Sequence, residues 1–141
     1  KWILGMIKKR ALGCVWIQQG FPDADEMIKK VREAADYPIL IITDAESGID
    51  EYFDGFFISE EMGANKPSSE FFEKCFEKID GFDKEQAIII GDSMSSDIKG
   101  GANVGMKTCL FNMRNKQISG DLRPDYEIKT LSEAIPLLER L

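Results

Sequence analysis

The stretch Ala87-Ile88-Ile89-Ile90-Gly91-Asp92-Ser93-Met94-Ser95-Ser96-Asp97-Ile98-Lys99-Gly100-Gly101 decides how this chain is read. Four apolar residues run straight into Gly-Asp, and two carboxylates and three hydroxyls follow between Asp92 and Asp97. A short apolar run ending in a glycine turn and a small-residue helix is a strand-to-helix junction. Asp92 then stands at the strand's carboxyl end and Asp97 about one helical turn later. Two carboxylates with neighbouring hydroxyls on one such turn are the means to hold a metal ion and a phosphate together.

Working outward, the same kind of signal recurs twice. Residues 38–43 form an apolar run ending on the hydroxyl of Thr43, and Gly63-Ala64-Asn65-Lys66-Pro67 sets one lysine just before a helical pattern. In open α/β sheets, ligands bind beyond the carboxyl ends of the strands, near the point where strand order reverses. Thr43, Lys66, Asp92 and Asp97 are therefore expected to converge on one crevice. Thr43 can donate a hydrogen bond to a phosphoryl oxygen, and Lys66 supplies positive charge where phosphoryl transfer accumulates negative charge. The N–H groups around Ser93 to Ser96, at a helix start, are expected to extend the anion site.

The remaining pattern fits βαβ units around a mostly parallel sheet. Strands are expected over 2–4, 38–43, 55–59, 87–90, 108–111 and 126–128, and helices over 22–35, 68–79, 96–104 and 131–141. Pro22 with Asp23, Asp25 and Glu26 suits the start of the first helix, where the helix dipole favours anions. Phe71, Phe72, Cys75, Phe76 and Ile79 recur at helical spacing and mark a core stripe. Residues 5–21 keep neither period.

A chain of 141 residues with 43% hydrophobic content fits one domain. A net charge of −7 argues against nucleic-acid polymers and anionic membranes as partners, since both require surplus Lys and Arg. Cys14, Cys75 and Cys109 are odd in number, lack CxxC spacing and sit among apolar residues, so reduced thiols in a cytoplasmic protein are expected. No apolar run approaches the roughly 20 residues of a spanning helix. The chain has no histidine, so any acid–base chemistry falls to carboxylates, Lys or Tyr.

Each residue also has a bland reading: Thr43 as an ordinary strand-end hydroxyl, Lys66 as a solvated loop lysine, Asp97 as a helix cap. An EF-hand fails because its oxygen ligands alternate around a central glycine. Asp23-Ala24-Asp25 mimics an acidic nucleophile pair, but it follows Pro22 in a helix rather than a strand. A receiver-type signalling domain would need an acidic pair after the first strand.

Taken together, Thr43, Lys66 and the string from Gly91 to Ala102 resemble motifs II, III and IV of the haloacid dehalogenase (HAD) superfamily of phosphatases. The resemblance covers about residues 22–141. It implies a Rossmann-like HAD core, here with the cap domain missing or reduced to part of 5–21. It further implies a Mg²⁺-dependent phosphatase acting on a small phosphorylated metabolite through an aspartyl-phosphate, as a monomer or weak homo-oligomer. Thr43, Asp44, Lys66 and Ser93 would bind substrate, Asp92 and Asp97 would serve the metal, and Thr43, Lys66 and Asp97 would act in catalysis. The segment from Tyr52 through Lys66 and the run from Ser93 to Gly101 look most like the pyrimidine 5′-nucleotidase type, which implies a nucleoside 5′-monophosphate.

The sequence departs from the family at three places. Lys1-Trp2-Ile3-Leu4 stops at Gly5, where relatives carry a nucleophilic aspartate and a second aspartate two residues later. A helix that relatives carry after motif II is missing following Thr43-Asp44-Ala45. Asp44 stands where asparagine is usual, adding a carboxylate near the phosphate. Two explanations compete for the absent nucleophile: it lies outside these 141 residues, or the chain is a non-catalytic phosphate- and metal-binding module. Intact motifs II to IV favour the first, because a buried charged cluster costs stability unless it has a ligand to hold.

Overall fold

The computed structural model describes residues 2–7, 40–43 and 55–138. In chain order these form β1 (Trp2–Ile7), β2 (Leu40–Thr43), β3 (Gly55–Ile58), α1 (Ser59–Met62), α2 (Ser69–Glu77), β4 (Ala87–Gly91), a π-helical turn (Met94–Ile98), α3 (Lys99–Asn103), β5 (Lys107–Phe111), β6 (Tyr126–Ile128) and α4 (Ala134–Leu138). The helix expected over 22–35, most of the 5–21 stretch, and Asp44 lie outside the described residues.

The six strands form one sheet in the order β3-β2-β1-β4-β5-β6. The chain steps outward from β1 to β3 and returns on the other side of β1 with β4, so the strand order reverses beside β4. The pairs β2–β3, β4–β5 and β5–β6 are parallel, as the βαβ pattern requires. The mostly parallel α/β sheet is thus observed.

β1 differs from expectation in length and direction. It continues through Gly5 to Ile7, so residues 5–7 are strand rather than cap remnant, and it runs antiparallel to both neighbours. Trp2 pairs with Thr43 and Ile7 with Ala87. The amino end of β1 therefore stands at the sheet edge formed by the carboxyl ends of β2 and β4. The carboxyl end of β1 lies at the opposite edge.

Helix α2 begins where Ser68 accepts the Phe71 N–H on its hydroxyl, a side-chain cap for an otherwise unsatisfied donor. The expected stripe is core: Phe71, Phe72 and Cys75 are fully buried, and Phe76 and Ile79 pack against them partly covered. Phe57, Ala87, Ile89 and Met106 complete this cluster between helix and sheet. β4 is buried along its whole length, which explains why it reads as an unbroken apolar run. α3 approaches so closely that a Cβ on Gly100 would overlap the Phe72 ring.

Cys75 and Cys109 are free and buried. Burial pushes both thiols up to about 12; Lys78 and Lys66 draw Cys75 back slightly, whereas Glu127 and Glu133 add to the rise at Cys109. Because the thiolate is the reactive form, neither should be alkylated by iodoacetamide at about pH 8 in the folded protein, and both should label rapidly in urea. Peptide mapping checks each cysteine separately, and native labelling of Cys75 would contradict the packing. Among the described residues no helix is long and apolar enough to cross a membrane.

Candidate functional site

Gly91 ends β4 and the chain enters the π-helical turn, in which the Asp97 and Ile98 N–H groups both donate to the Ser93 carbonyl, at 3.0 and 3.1 Å. π-turns of this kind are rare and concentrate at functional sites. Here the wide turn brings the Asp97 side chain back under the end of β4. Its carboxylate is completely buried and each oxygen has a partner. Oδ1 accepts from Lys66 Nζ at 3.2 Å and from the Ser96 hydroxyl at 3.4 Å, and Oδ2 accepts from the Ser93 N–H at 3.2 Å. Asp97 is thus no helix cap. Ser93 has that role, accepting the Ser96 N–H on its hydroxyl.

Lys66, on the loop before α2, is the cation expected from the sequence, and its side chain is only 5% exposed. It is therefore no solvated loop lysine. It reaches across 31 residues of sequence to Asp97. Burial pushes the Asp97 carboxyl above its ordinary value; the Lys66 charge and hydrogen bond, then the Ser93 N–H, pull it back, while the charge of Asp92 adds to the rise. Gly91 is part of the same arrangement, because a Cβ there would fall inside the Asp97 carboxylate. Gly91→Ala should consequently lower stability by about 1–3 kcal/mol, the range for overpacking a closed core. Urea denaturation checks this, and wild-type stability in the variant would show that the carboxylate can move aside.

Asp92 is the contrast. Its Oδ1 is buried and has no hydrogen-bond partner. A carboxylate oxygen withdrawn from water with nothing to accept from is costly, which marks Oδ1 as a place for an ion, a water or a ligand group. The donor set fits Mg²⁺: a hard cation that keeps several waters and needs only one or two carboxylates. Among the described residues no group of three or more acidic, histidine or cysteine side chains comes together.

Thr43 ends β2 at this same edge, separated from β4 by the one strand β1. The N–H groups of Ser93, Ser96 and Asp97 are engaged within the turn itself. One feature of the site was not anticipated from sequence. A cleft of about 520 Å³ opens beside Asp92 and Ser93 and is walled by the loop after β5, including Asn112, Met113 and Arg114. A polar Asn112 directly following an apolar strand at the same sheet edge was the signal available for it.

The model of the HAD-hydrolase-like family matches residues 63–134, which contain Lys66, Asp92 and Asp97. This chain belongs to the HAD-like hydrolases. The HAD-like chain is 36% identical over 96 residues to the pyrimidine 5′-nucleotidase PynA of Streptococcus pneumoniae, covering 68% of this chain and 40% of that protein. It is 34% identical over 92 residues to the pyrimidine 5′-nucleotidase YjjG of Escherichia coli, covering 65% and 41%. Among solved structures, the magnesium-bound HAD-hydrolase YfnB of Bacillus subtilis superposes with a TM-score of 0.75 at 33% identity, over 82% of this chain and 54% of that one. The HAD-like chain spans about two fifths of the length of these curated relatives.

Proposed function

We propose that this chain carries the phosphate- and metal-binding part of a Mg²⁺-dependent phosphatase whose substrate is a small phosphorylated metabolite, a nucleoside 5′-monophosphate in particular. The observation that carries the reading is the pairing of unlike carboxylates on one turn: Asp97 fully buried and satisfied by Lys66, and Asp92 with a buried oxygen left open. The likeness to two pyrimidine 5′-nucleotidases supports the substrate class. The magnesium in the YfnB structure supports the metal.

In this reading Asp92 binds Mg²⁺ directly, and Asp97 holds the site's geometry by fixing Lys66 and the turn. Bound there, Mg²⁺ would neutralise charge on the phosphoryl oxygens. Lys66 adds a second positive charge to the transferring phosphoryl, Thr43 donates its hydroxyl to it, and Ser93 lines its approach. Asp44 follows Thr43 directly and is assigned to the substrate side. The substrate is a free small molecule rather than a polymer or a membrane lipid, and the working unit is a cytoplasmic monomer or weak homo-oligomer within one core domain.

The aspartyl-phosphate route needs a nucleophilic carboxylate at this sheet edge. β1 contains none, and its carboxyl end lies at the far edge. The nucleophile of an active enzyme would therefore come from residues other than β1. The reversed strand also favours a second reading, a phosphate- and Mg²⁺-binding module that does not turn over. Release of inorganic phosphate from nucleoside monophosphates decides between them. Mg²⁺-dependent release that disappears in Asp92→Asn supports the phosphatase, whereas Mg²⁺ binding without release supports the module.

A further inference from the structure

We propose that the cleft beside Asp92 is a nucleobase pocket, and that Met113 and Arg114 on the loop after β5 are its specificity-determining residues. The inference rests on the phosphate-site reading above and says where the rest of the substrate lies. The cleft is lined both by Asp92 and Ser93, the residues assigned to the metal and the phosphoryl group, and by residues of the loop over 112–119. Its volume of about 520 Å³ falls within the 300–1,000 Å³ typical of small-ligand sites.

The lining suits a flat ring with a polar rim. Met113 is 44% exposed, the one large hydrophobic side chain left exposed among the described residues, and it lies on the cleft wall. A polarisable thioether is well suited to an aromatic ring face. Arg114 is exposed on the same wall, and it forms no ion pair among the described residues. A guanidinium can stack on a base or donate to its carbonyl oxygens. Gln117 adds an amide that both donates and accepts.

The loop is also braced in place. Asn112, only 6% exposed, accepts the Lys116 N–H on Oδ1 at 2.8 Å, and its Nδ2 donates to the Lys116 carbonyl at 2.9 Å and to Glu127 Oε1 at 2.8 Å. Its N–H donates to the Ile128 carbonyl at 2.8 Å, tying the loop's first residue to β6. A wall held by a buried amide is formed before the ligand arrives, which lowers the ordering cost of binding.

The test compares dissociation constants for uridine 5′-monophosphate and ribose 5-phosphate, measured by calorimetry with Mg²⁺ on the full chain. It needs no turnover. The wild type should bind the nucleotide about tenfold or more tighter than the sugar phosphate, the scale of one base stacked on a side chain. Met113→Ala/Arg114→Ala, both at exposed positions, should bring that ratio close to one and leave ribose 5-phosphate affinity unchanged. Equal wild-type affinities for the two ligands would overturn the pocket while leaving the phosphate site standing. A ratio preserved in the double variant, or parallel losses for both ligands, would overturn it as well. Failure of the wild type to bind ribose 5-phosphate or inorganic phosphate would instead defeat the phosphate-site reading, and the pocket with it.

Discussion

Replacing Lys66 with methionine is expected to lower the free energy of unfolding by about 3–5 kcal/mol, the usual consequence of stranding one member of a buried ion pair. The reason is the burial of its partner: Asp97 has no exposure, and Lys66 is the largest influence that opposes the desolvation of its carboxyl. Without Lys66 the native carboxyl holds its proton to higher pH than an unfolded one does. The native state then binds more protons, so stability rises as pH falls. The deficit of Lys66→Met should accordingly shrink between about pH 7 and pH 5. Asp97→Asn in the same background should restore most of the loss by removing the stranded charge. Urea denaturation of the single and double variants at both pH values measures all of this. A single variant within about 1 kcal/mol of wild type, the range of exposed pairs, would mean that water reaches Asp97.

Asp92→Asn should behave in the opposite sense. Its Oδ1 has no protein partner, and its charge raises the Asp97 carboxyl. Removing that charge breaks no hydrogen bond made by Oδ1 and relieves a repulsion. Stability without metal should therefore be unchanged or higher. The loss should fall on the ligand: at Mg²⁺ a hundredfold above its dissociation constant, the wild type should gain about 2.7 kcal/mol and the variant close to nothing. Any phosphate release should drop by about 100-fold or more, as when one stabilising group is removed from a developing charge. Thermal melts with and without Mg²⁺ provide the first comparison. An equal Mg²⁺ shift in Asp92→Asn would remove Asp92 from the metal site.

Both expectations concern residues that are conspicuous in the sequence, yet the difference between them is not. Asp92 and Asp97 are chemically identical and share one turn. Lys66, 31 residues away, pairs with Asp97, whose other partners are Ser93 and Ser96 of the turn, while an oxygen of Asp92 has no partner. The sequence pattern predicts an ordinary helix over 96–104, whereas the turn over Met94–Ile98 is π-helical. Beside it, Gly91 leaves the space that the Asp97 carboxylate occupies.

The direction of β1 shows the same division. Trp-Ile-Leu-Gly-Met-Ile is apolar read from either end, so its pattern predicts a buried strand and is silent on parallel or antiparallel pairing. Direction is decided by the connection and by the neighbouring ladders. Here it turns the edge next to Asp92 into the amino end of a strand. The cleft was illegible for a related reason: it lies between two loops, at Asp92 and after β5, whose residues carry no periodicity of their own.

By itself the amino-acid sequence determined the α/β class, the core stripe of α2 and the strand-to-turn junction bearing Asp92 and Asp97, and it offered Lys66 as a candidate cation for the same site. These are local matters of burial period, turn chemistry and charge, which a few neighbouring residues decide. The tertiary structure alone decided which carboxylate is paired, which way β1 runs, and that the β5 loop faces Asp92 across a cleft. Those outcomes depend on contacts between segments distant in sequence, where the energy of packing and pairing selects among arrangements that local patterns leave equivalent.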